Sequence, residues 1–385
     1  MRLSCLQENL SKGLAVVGRA VPTRTTLPIT QNVLLATDRS MLKLSATNLE
    51  LAITTWVGAM VEEEGSVTVP ARLLSEFVGS LPAERIDVSM EPGQATLRLA
   101  CARNDARVNG IAADEFPPIP TVDEGLVAKV DAQALRTAIN QVVFAAATEE
   151  SRPVLTGVKL EMEESQFTMA AADGFRLAVH RGELLEPVGE PVSTIVPART
   201  FNELNRFLSD QEDPVEMTVT QAKGQVLFRL TDVEVVSQLI QGTFPNYSQL
   251  IPQSYQTRTV FGLQGLLRAA RSASIFARDG SGIVRLQVVP GAEEGSGEDG
   301  AGRPGKVVIS ARAEEMGDNQ DEVDTLVEGG ESKIAFNSKY LLDVLQVMNL
   351  SEVALETSSP SSPGVFKPTD SDSYVHVVMP MFVQW

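Results

Sequence analysis

The chain predicts an α+β fold of three tandem, similar domains, each with two helices packed on antiparallel sheet. Three observations predict it. First, a word read as strand end, break and helix start occurs as Val69-Pro70-Ala71-Arg72-Leu73-Leu74 and again as Val196-Pro197-Ala198-Arg199-Thr200-Phe201. A weaker third copy is Phe336-Asn337-Ser338-Lys339-Tyr340-Leu341. Second, other landmarks keep a similar interval. Ala46-Thr47-Asn48-Leu49-Glu50-Leu51 matches Ala172-Asp173-Gly174-Phe175-Arg176-Leu177, and Phe116-Pro117 matches Phe244-Pro245. Ser310-Ala311-Arg312-Ala313-Glu314 sits near the matching place in the last third, which ends in Met379-Pro380-Met381. Third, the length of 385 residues suits two or three domains, each able to bury its own core. Repetition at a fixed interval is read before any motif, because it decides the architecture.

Each third shows one order of elements. It opens with a helix, around 6–18, 131–146 and 262–277. Two strands follow, then a second helix at 71–80, 198–208 and 338–348. In the first of these, Leu73, Leu74, Phe77, Val78 and Leu81 recur at helical spacing. Pro70 and Pro197 suit a helix's first turn, where the missing N–H costs nothing. A meander of alternating strands closes each third. In Glu216-Met217-Thr218-Val219-Thr220, Met and Val face one side and the polar residues the other. Gln221-Ala222-Lys223-Gly224 closes a hairpin, and Ala95-Thr96-Leu97-Arg98-Leu99 alternates likewise. Pro-rich stretches at 115–122 and 243–253 read as linkers, giving domains 1–121, 122–252 and 253–385. Residues 291–305, GAEEGSGEDGAGRPG, read as a flexible acidic insertion and explain the longer second interval.

Composition narrows the function. Lys and Arg total 32 against 50 Asp and Glu, a net charge of −18. Such acidity argues against a surface that coats nucleic acid, and leaves room for a local basic patch. The two cysteines, Cys5 and Cys101, form no CxxC pair, so a disulfide framework or cysteine zinc site is not expected. Two histidines, His180 and His376, offer little to a multi-His metal site or a Ser-His-Asp arrangement. No stretch approaches the roughly 18 apolar residues of a membrane span. The N-terminus lacks the continuous apolar core of a signal peptide, so a cytoplasmic chain is expected. Gly295-Ser296-Gly297-Glu298-Asp299-Gly300 spells GxGxxG, but no helix follows and its acids would repel a pyrophosphate. Asp318–Asp324 is acid-rich without calcium-loop spacing and reads as a solvated acidic turn. No catalytic motif, metal or cofactor is expected. A carboxylate-pair hydrolase using a divalent metal is the weakest of the function classes considered.

With these landmarks in order, the chain resembles the bacterial DNA polymerase III beta subunit family, the replicative sliding clamps, over essentially its whole length. The resemblance rests on Arg24-Thr25-Thr26-Leu27-Pro28-Ile29, Ala172-Asp173-Gly174-Phe175-Arg176-Leu177-Ala178-Val179 and Thr243-Phe244-Pro245-Asn246-Tyr247. In the last third it rests on Tyr340-Leu341-Leu342-Asp343-Val344-Leu345 and Tyr374-Val375-His376-Val377-Val378-Met379-Pro380-Met381. It implies a non-enzymatic processivity factor, a head-to-tail homodimer closed as a ring around duplex DNA. Six similar units let identical contacts close a ring instead of growing a fibre. It implies as partners the replicative polymerase alpha subunit, a clamp-loader ATPase, and other replication and repair proteins carrying clamp-binding peptides.

The resemblance also implies site residues. For DNA these are Arg24 and, in the corresponding stretch of the second domain, Arg152, where Glu149 and Glu150 depart from the pattern. The expected helices add Lys12, Arg19, Arg72, Arg136, Arg199, Arg206, Arg268, Arg271 and Lys339. If these helices line the hole, weak sequence-independent phosphate contacts result. For a docked partner peptide, the matching positions are Leu155, Gly174, Phe175, Arg176 and Leu177 from the second domain. Pro245, Leu250, Val377, Met379, Pro380 and Met381 complete the pocket. Methionine adapts to varied ligands, and apolar anchors need a preformed groove. Phe175 stands where some relatives have histidine, and the tail Phe382-Val383-Gln384-Trp385 is more apolar than the family's usual ending. The dimer contact is expected from Ile275 and Phe276 against Ala106 and Val108. The small Ala106 motivates an alternative, a monomeric peptide-binding scaffold related to clamps.

Overall fold

The computed structural model describes residues 1–90, 93–122, 124–149, 151–220, 222, 224–278, 280–291 and 303–385. The first third runs β1 (Arg2–Leu6), α1 (Gln7–Val17), β2 (Asn32–Asp38), β3 (Met41–Thr47), β4 (Leu51–Val57), β5 (Ala59–Glu63) and β6 (Ser66–Pro70). It closes with α2 (Ala71–Ser80), β7 (Arg85–Met90), β8 (Thr96–Cys101) and β9 (Asn104–Asn109). The middle third runs β10 (Leu126–Val130), α3 (Ala132–Val142), β11 (Gly157–Glu163), β12 (Gln166–Ala172), β13 (Arg176–Glu183) and β14 (Val192–Pro197). Then come α4 (Ala198–Phe207), β15 (Val215–Val219), β16 (Gln225–Arg229) and β17 (Val233–Gln238). The last third runs β18 (Thr257–Gly262), α5 (Leu263–Arg278), β19 (Ile283–Pro290), β20 (Arg303–Ala313), β21 (Gly317–Gly329) and β22 (Ser332–Asn337). It ends with α6 (Ser338–Val347), β23 (Glu352–Thr357), β24 (Gly364–Pro368) and β25 (Tyr374–Val378).

All six expected helices are present, and five expectations need correction. A strand precedes the first helix of every third, so no third opens with a helix. Four or five strands, not two, separate the paired helices. Asp318–Asp324 is no turn; it lies within β21, paired with β20 from Arg312↔Asp318 to Lys306↔Asp324. Pro70 and Pro197 end strands rather than sitting inside the helix, with Pro70 at the N-cap of α2. The GxGxxG stretch and most of the expected insertion lie outside the described residues, as do Gln221, Lys223 and Glu150. The end of that expected insertion, Arg303–Gly305, is strand.

Contacts divide the chain into two compact units. One is Met1–Ala132 with Asn202–Leu239, the other Gln133–Phe201 with Ile240–Trp385. The first unit holds a five-stranded sheet, β5-β1-β7-β8-β9, and an eight-stranded sheet, β10-β15-β16-β17-β4-β3-β2-β6. The second holds one twelve-stranded sheet, β14-β11-β12-β13-β25-β24-β23-β18-β21-β20-β19-β22. Every named strand pair is antiparallel.

The helices form by apolar spacing and close approach. On α1, Leu10, Gly13, Leu14 and Val17 make one buried stripe facing β3 and β4. A Cβ on Gly13 would stand 2.6 Å from Val57 Cγ2 and 2.9 Å from Leu44 Cδ1, so glycine is what lets the helix lie against the sheet. The buried Gln7 side chain donates to Val78 O at 2.8 Å, tying α1 to α2. On α2, Leu74 and Val78 are buried, while Leu73 is exposed. On α5, Gln264, Arg268, Arg271, Ile275 and Arg278 form the exposed stripe, opposite Leu263, Leu266, Ala270, Ala273 and Ala277. Asn337 caps α6, its side chain accepting from Lys339 N at 2.9 Å.

The repeat extends to strand pairing. β4 pairs with β17, from Leu51↔Ser237 to Thr55↔Val233. β13 pairs with β25, from Arg176↔Val378 to His180↔Tyr374. Each joins the inner strand of one third to the last strand of the next. The counterparts left over are β21 and β9. Residues Gly317–Asp324 of β21 pair with β20 on one side only, since β18 takes up only Thr325–Gly329. β9 pairs with β8 alone among the named strands.

Candidate peptide groove and charged surfaces

The groove in the second unit begins at a turn. The Asp173 carboxylate accepts from Phe175 N at 2.9 Å and Arg176 N at 3.0 Å. Gly174 has φ +93°, the left-handed region that glycine enters without strain. The turn throws Phe175 outward, 59% exposed, and turns Arg176 inward. Each nitrogen of Arg176 then donates: Nε to Asp173 at 3.0 Å, Nη1 to Asp343 at 2.5 Å and Nη2 to Phe144 O at 2.7 Å. The guanidinium also lies over the Tyr340 and Phe144 rings, at 4.6 and 5.2 Å. Arg176 therefore locks β13 to α6 instead of offering itself to a partner.

Beyond the turn lies an apolar sheet face. Val365, Val377, Leu177 and Ala172 stand in one cross-strand row over β24, β25, β13 and β12. They cluster with Ala170, Val179 and Val375, and Tyr247 and Ile251 pack on the edge. Met379 N donates to Phe175 O at 2.8 Å, and Met381 N to Ala335 O at 2.8 Å. These bonds carry the chain end along the rim, where Pro380 is buried and Met381 half-buried. Leu250 and Met379 are 52% and 45% exposed, and Pro245 is exposed as well. Leu155 is buried with Ile195 and Phe244. Tyr247 donates its hydroxyl to Glu161 at 2.7 Å, and burial with this acidic neighbour pushes the phenol well up, so it stays a donor.

A cavity of about 390 Å³ adjoins the turn, lined by Leu155, Phe175, Tyr340, Arg152, Lys339 and Glu149 among others. The Phe175 and Tyr340 rings stack at 6.4 Å. Arg152 and Lys339, expected at DNA, thus share a cavity with residues expected at the peptide. Behind it, His376 is fully buried, stacked on Phe144 at 5.4 Å, with Nδ1 3.1 Å from the Tyr374 hydroxyl. His180 Nδ1 lies 2.7 Å from Gln141 Oε1. Burial lowers both imidazoles, His376 to about 3 and His180 to about 4. They are packing residues, neutral at ordinary pH.

The basic residues differ in availability. Arg24, Arg199 and Lys339 are exposed with no ion pair among the described residues. Arg24 sits on a loop ordered by Thr25 and Thr30, whose hydroxyls lie 3.0 Å apart. Arg72 is exposed but bound to Glu76 at 2.8 Å. Arg19 and Arg206 share Glu203, at 3.9 and 3.3 Å. Of the expected dimer residues, Ile275 is 58% exposed and Phe276 half-buried on α5, beside the exposed Met316. On β9, Ala106 is half-buried and Val108 buried. Sequence reasoning missed Met316, a lone methionine in a charged stretch, and the knot at Asp343, which lies 167 residues from Arg176.

Known proteins resemble the chain throughout. The DNA polymerase III beta subunit N-terminal, central and C-terminal domain families match residues 1–120, 129–246 and 248–382. A beta sliding clamp of Synechococcus elongatus is 31% identical over 385 residues, covering 99% of both chains. The crystal structure of a Bacillus subtilis DNA polymerase sliding clamp superposes with a TM-score of 0.92 at 26% identity, covering all of both chains. A Pseudomonas aeruginosa sliding clamp bound to griselimycin superposes at 0.89 with 29% identity, again over the full lengths. Three repeats joined by matching strand pairs, and these full-length likenesses, place the chain in the DNA polymerase III beta subunit family, the beta sliding clamps.

Proposed function

We propose that this chain is a processivity factor of DNA replication, a clamp without catalytic activity. Two copies close head to tail around duplex DNA, and partners dock in the groove at Leu177, Val377 and Met379. The observation that carries this reading is the unfinished strand pattern. β4–β17 and β13–β25 are satisfied within the chain, while β9 and the first half of β21 each keep a free edge among the described residues. An exposed edge invites another strand. A second copy supplies it, and two such head-to-tail contacts close the assembly. Charge favours the match. Asp318, Asp321 and Asp324 are exposed on β21, and Arg103 and Arg107 beside or on β9. Ile275, Phe276 and Met316 add an apolar contact next to the β21 edge.

Inside such a ring, Arg24, Arg199, Lys339, Arg268 and Arg271 meet phosphates without reading bases, which lets the ring slide. The replicative polymerase alpha subunit, a clamp loader and other peptide-bearing replication and repair proteins are the partners this reading assigns. Negative-stain electron microscopy of the purified protein tests it. Closed six-lobed rings that become single three-lobed particles in Ile275→Asp are expected. Single particles in the unsubstituted protein would instead favour the monomeric scaffold, for which the small Ala106 on β9 is the motivating feature.

A further inference from the structure

The last third leaves exposed an aromatic position that the other two thirds bury. After its final strand, each third runs back against the strand ahead of its second helix. Ile111 pairs with Thr68 of β6, Ile240 N donates to Ile195 O of β14 at 2.9 Å, and Met381 N donates to Ala335 O of β22 at 2.8 Å. Phe116 follows Ile111 by five residues, Phe244 follows Ile240 by four, and Trp385 follows Met381 by four. Phe116 and Phe244 are 6% and 7% exposed, while Trp385 is 48% exposed. Phe244 packs on Leu155, which belongs to the segment 143–156 joining α3 to β11. The first third has a matching segment, 18–31, between α1 and β2. In the last third α5 ends at Arg278 and β19 begins at Ile283, so no such segment is there to cover the indole.

The stretch that carries Trp385 is hinged beside the cavity in the second unit. Phe382 is 85% exposed, and past Met381 the stretch makes no hydrogen bond among the described residues. Met379 N is bonded to Phe175 O, and Phe175 is a wall of the 390 Å³ cavity. Tyr340, another wall, lies five residues past Ala335, where Met381 is held. That span is shortened by the first turn of α6. The four residues from Met381 to Trp385 reach up to about 14 Å, and the length of the indole adds to it. The cavity suits an aromatic ring. Phe144, Phe175, Tyr340 and Leu155 supply apolar walls, and Arg152 and Lys339 supply cations that favour the face of an indole. Asp173 and Asp343, which also line it, are taken up by Arg176. Glu149 remains, and a neutral ring meets no charge repulsion from it.

We propose that Trp385 folds back into this cavity, against Phe175 and Tyr340, and makes residues 382–385 an intramolecular competitor of a docked partner. The form described above is the open one of two states. A short tether holds the indole at high effective concentration, so modest contacts suffice to populate the closed state. A partner must then displace the chain's own aromatic residue before it docks. The proposal rests on the peptide reading of this groove.

The test begins without any partner. Trp56 and Trp385 are the only tryptophans, so Trp56→Phe leaves one indole to observe. Acrylamide quenching of its fluorescence is expected to be weaker than for free tryptophan amide, and to rise to that level in Phe175→Ser. Phe175 is itself largely exposed, so its replacement leaves the fold intact. An indole as open to quencher as the free amide, or one indifferent to Phe175, overturns the proposal. The second measurement is affinity for the replicative polymerase alpha subunit of the same organism, with the full chain and with a chain lacking residues 382–385. Removal is expected to tighten binding about threefold, the factor for a segment docked in two thirds of the chains. Unchanged or weaker binding overturns the competition, and weaker binding would make the segment part of the partner's contact. An alpha subunit that binds neither chain overturns the peptide reading and the competition with it, and is told apart by an indole that is still shielded.

Discussion

At the scale of single residues, burial decides roles that residue type leaves open. Arg176 looks like a surface contact in the sequence, yet its donors are spent on Asp173, Asp343 and a carbonyl. Arg176→Met leaves two carboxylates unpaired, and a loss of about 3 kcal/mol is expected in urea unfolding, as for other buried pairs that lose one partner. An unchanged midpoint would count against the knot. The two imidazoles make a pH prediction. Burial holds His180 at about 4 and His376 at about 3, below the 6.5 of a free imidazole. The unfolded chain therefore binds protons first as pH falls, and folding loses stability from about pH 6.5 downward, by about 2 kcal/mol per histidine at pH 5. In NMR spectra, neither imidazole is expected to titrate between about pH 5.5 and 8. Leu49 carries the left-handed strain that glycine avoids, and Leu49→Gly is expected to stabilise by up to about 1 kcal/mol, less the added freedom of the unfolded chain. None of these three assignments was legible in the sequence, because each depends on neighbours far along the chain or on a backbone angle.

At the scale of elements, the helices were legible and many strands were not. Six helices showed because apolar residues recur at three and four, and the helix boundaries came within a few residues. β1, β10 and β18 were missed because each is only five or six residues long and runs almost directly into a helix. β3 and β12 were harder still. MLKLSAT and QFTMAAA are buried on both faces over their second halves, so alternation vanishes there. The acidic half of β21 reads as loop by composition, and its partner β20 is what makes it a strand. The close packing of α1 gives a direct test. Gly13→Leu must push Val57 and Leu44 aside, and a loss of about 2–3 kcal/mol is expected from such overpacking. Circular dichroism melts should show it, and an unperturbed melt would mean the helix can lift off freely.

At the scale of the whole molecule, the threefold repeat was legible, since the landmarks recur at similar intervals. The expected groove and contact residues came from family resemblance, since residues far apart in the chain build them. Phosphate contact is expected to follow availability. Replacing Arg199 and Lys339 together by alanine removes four cations from a two-copy ring and should flatten the salt dependence of DNA binding by up to about 3.6 in log–log slope, near 0.9 per phosphate contact. Arg72→Ala should change it less, because Glu76 already holds that guanidinium. A slope insensitive to Arg199 and Lys339 would move the DNA path elsewhere. The unfinished strand edges carry a mechanical meaning as well. Within a chain, each strand pair joining neighbouring thirds is backed by a covalent segment lying across it, Ile119 and Val122 on one and Tyr247 and Ile251 on the other. A seam between copies has no such strap. Under tension, a ring of this chain would part at the two seams and nowhere else, and it would part into intact chains that can re-form it.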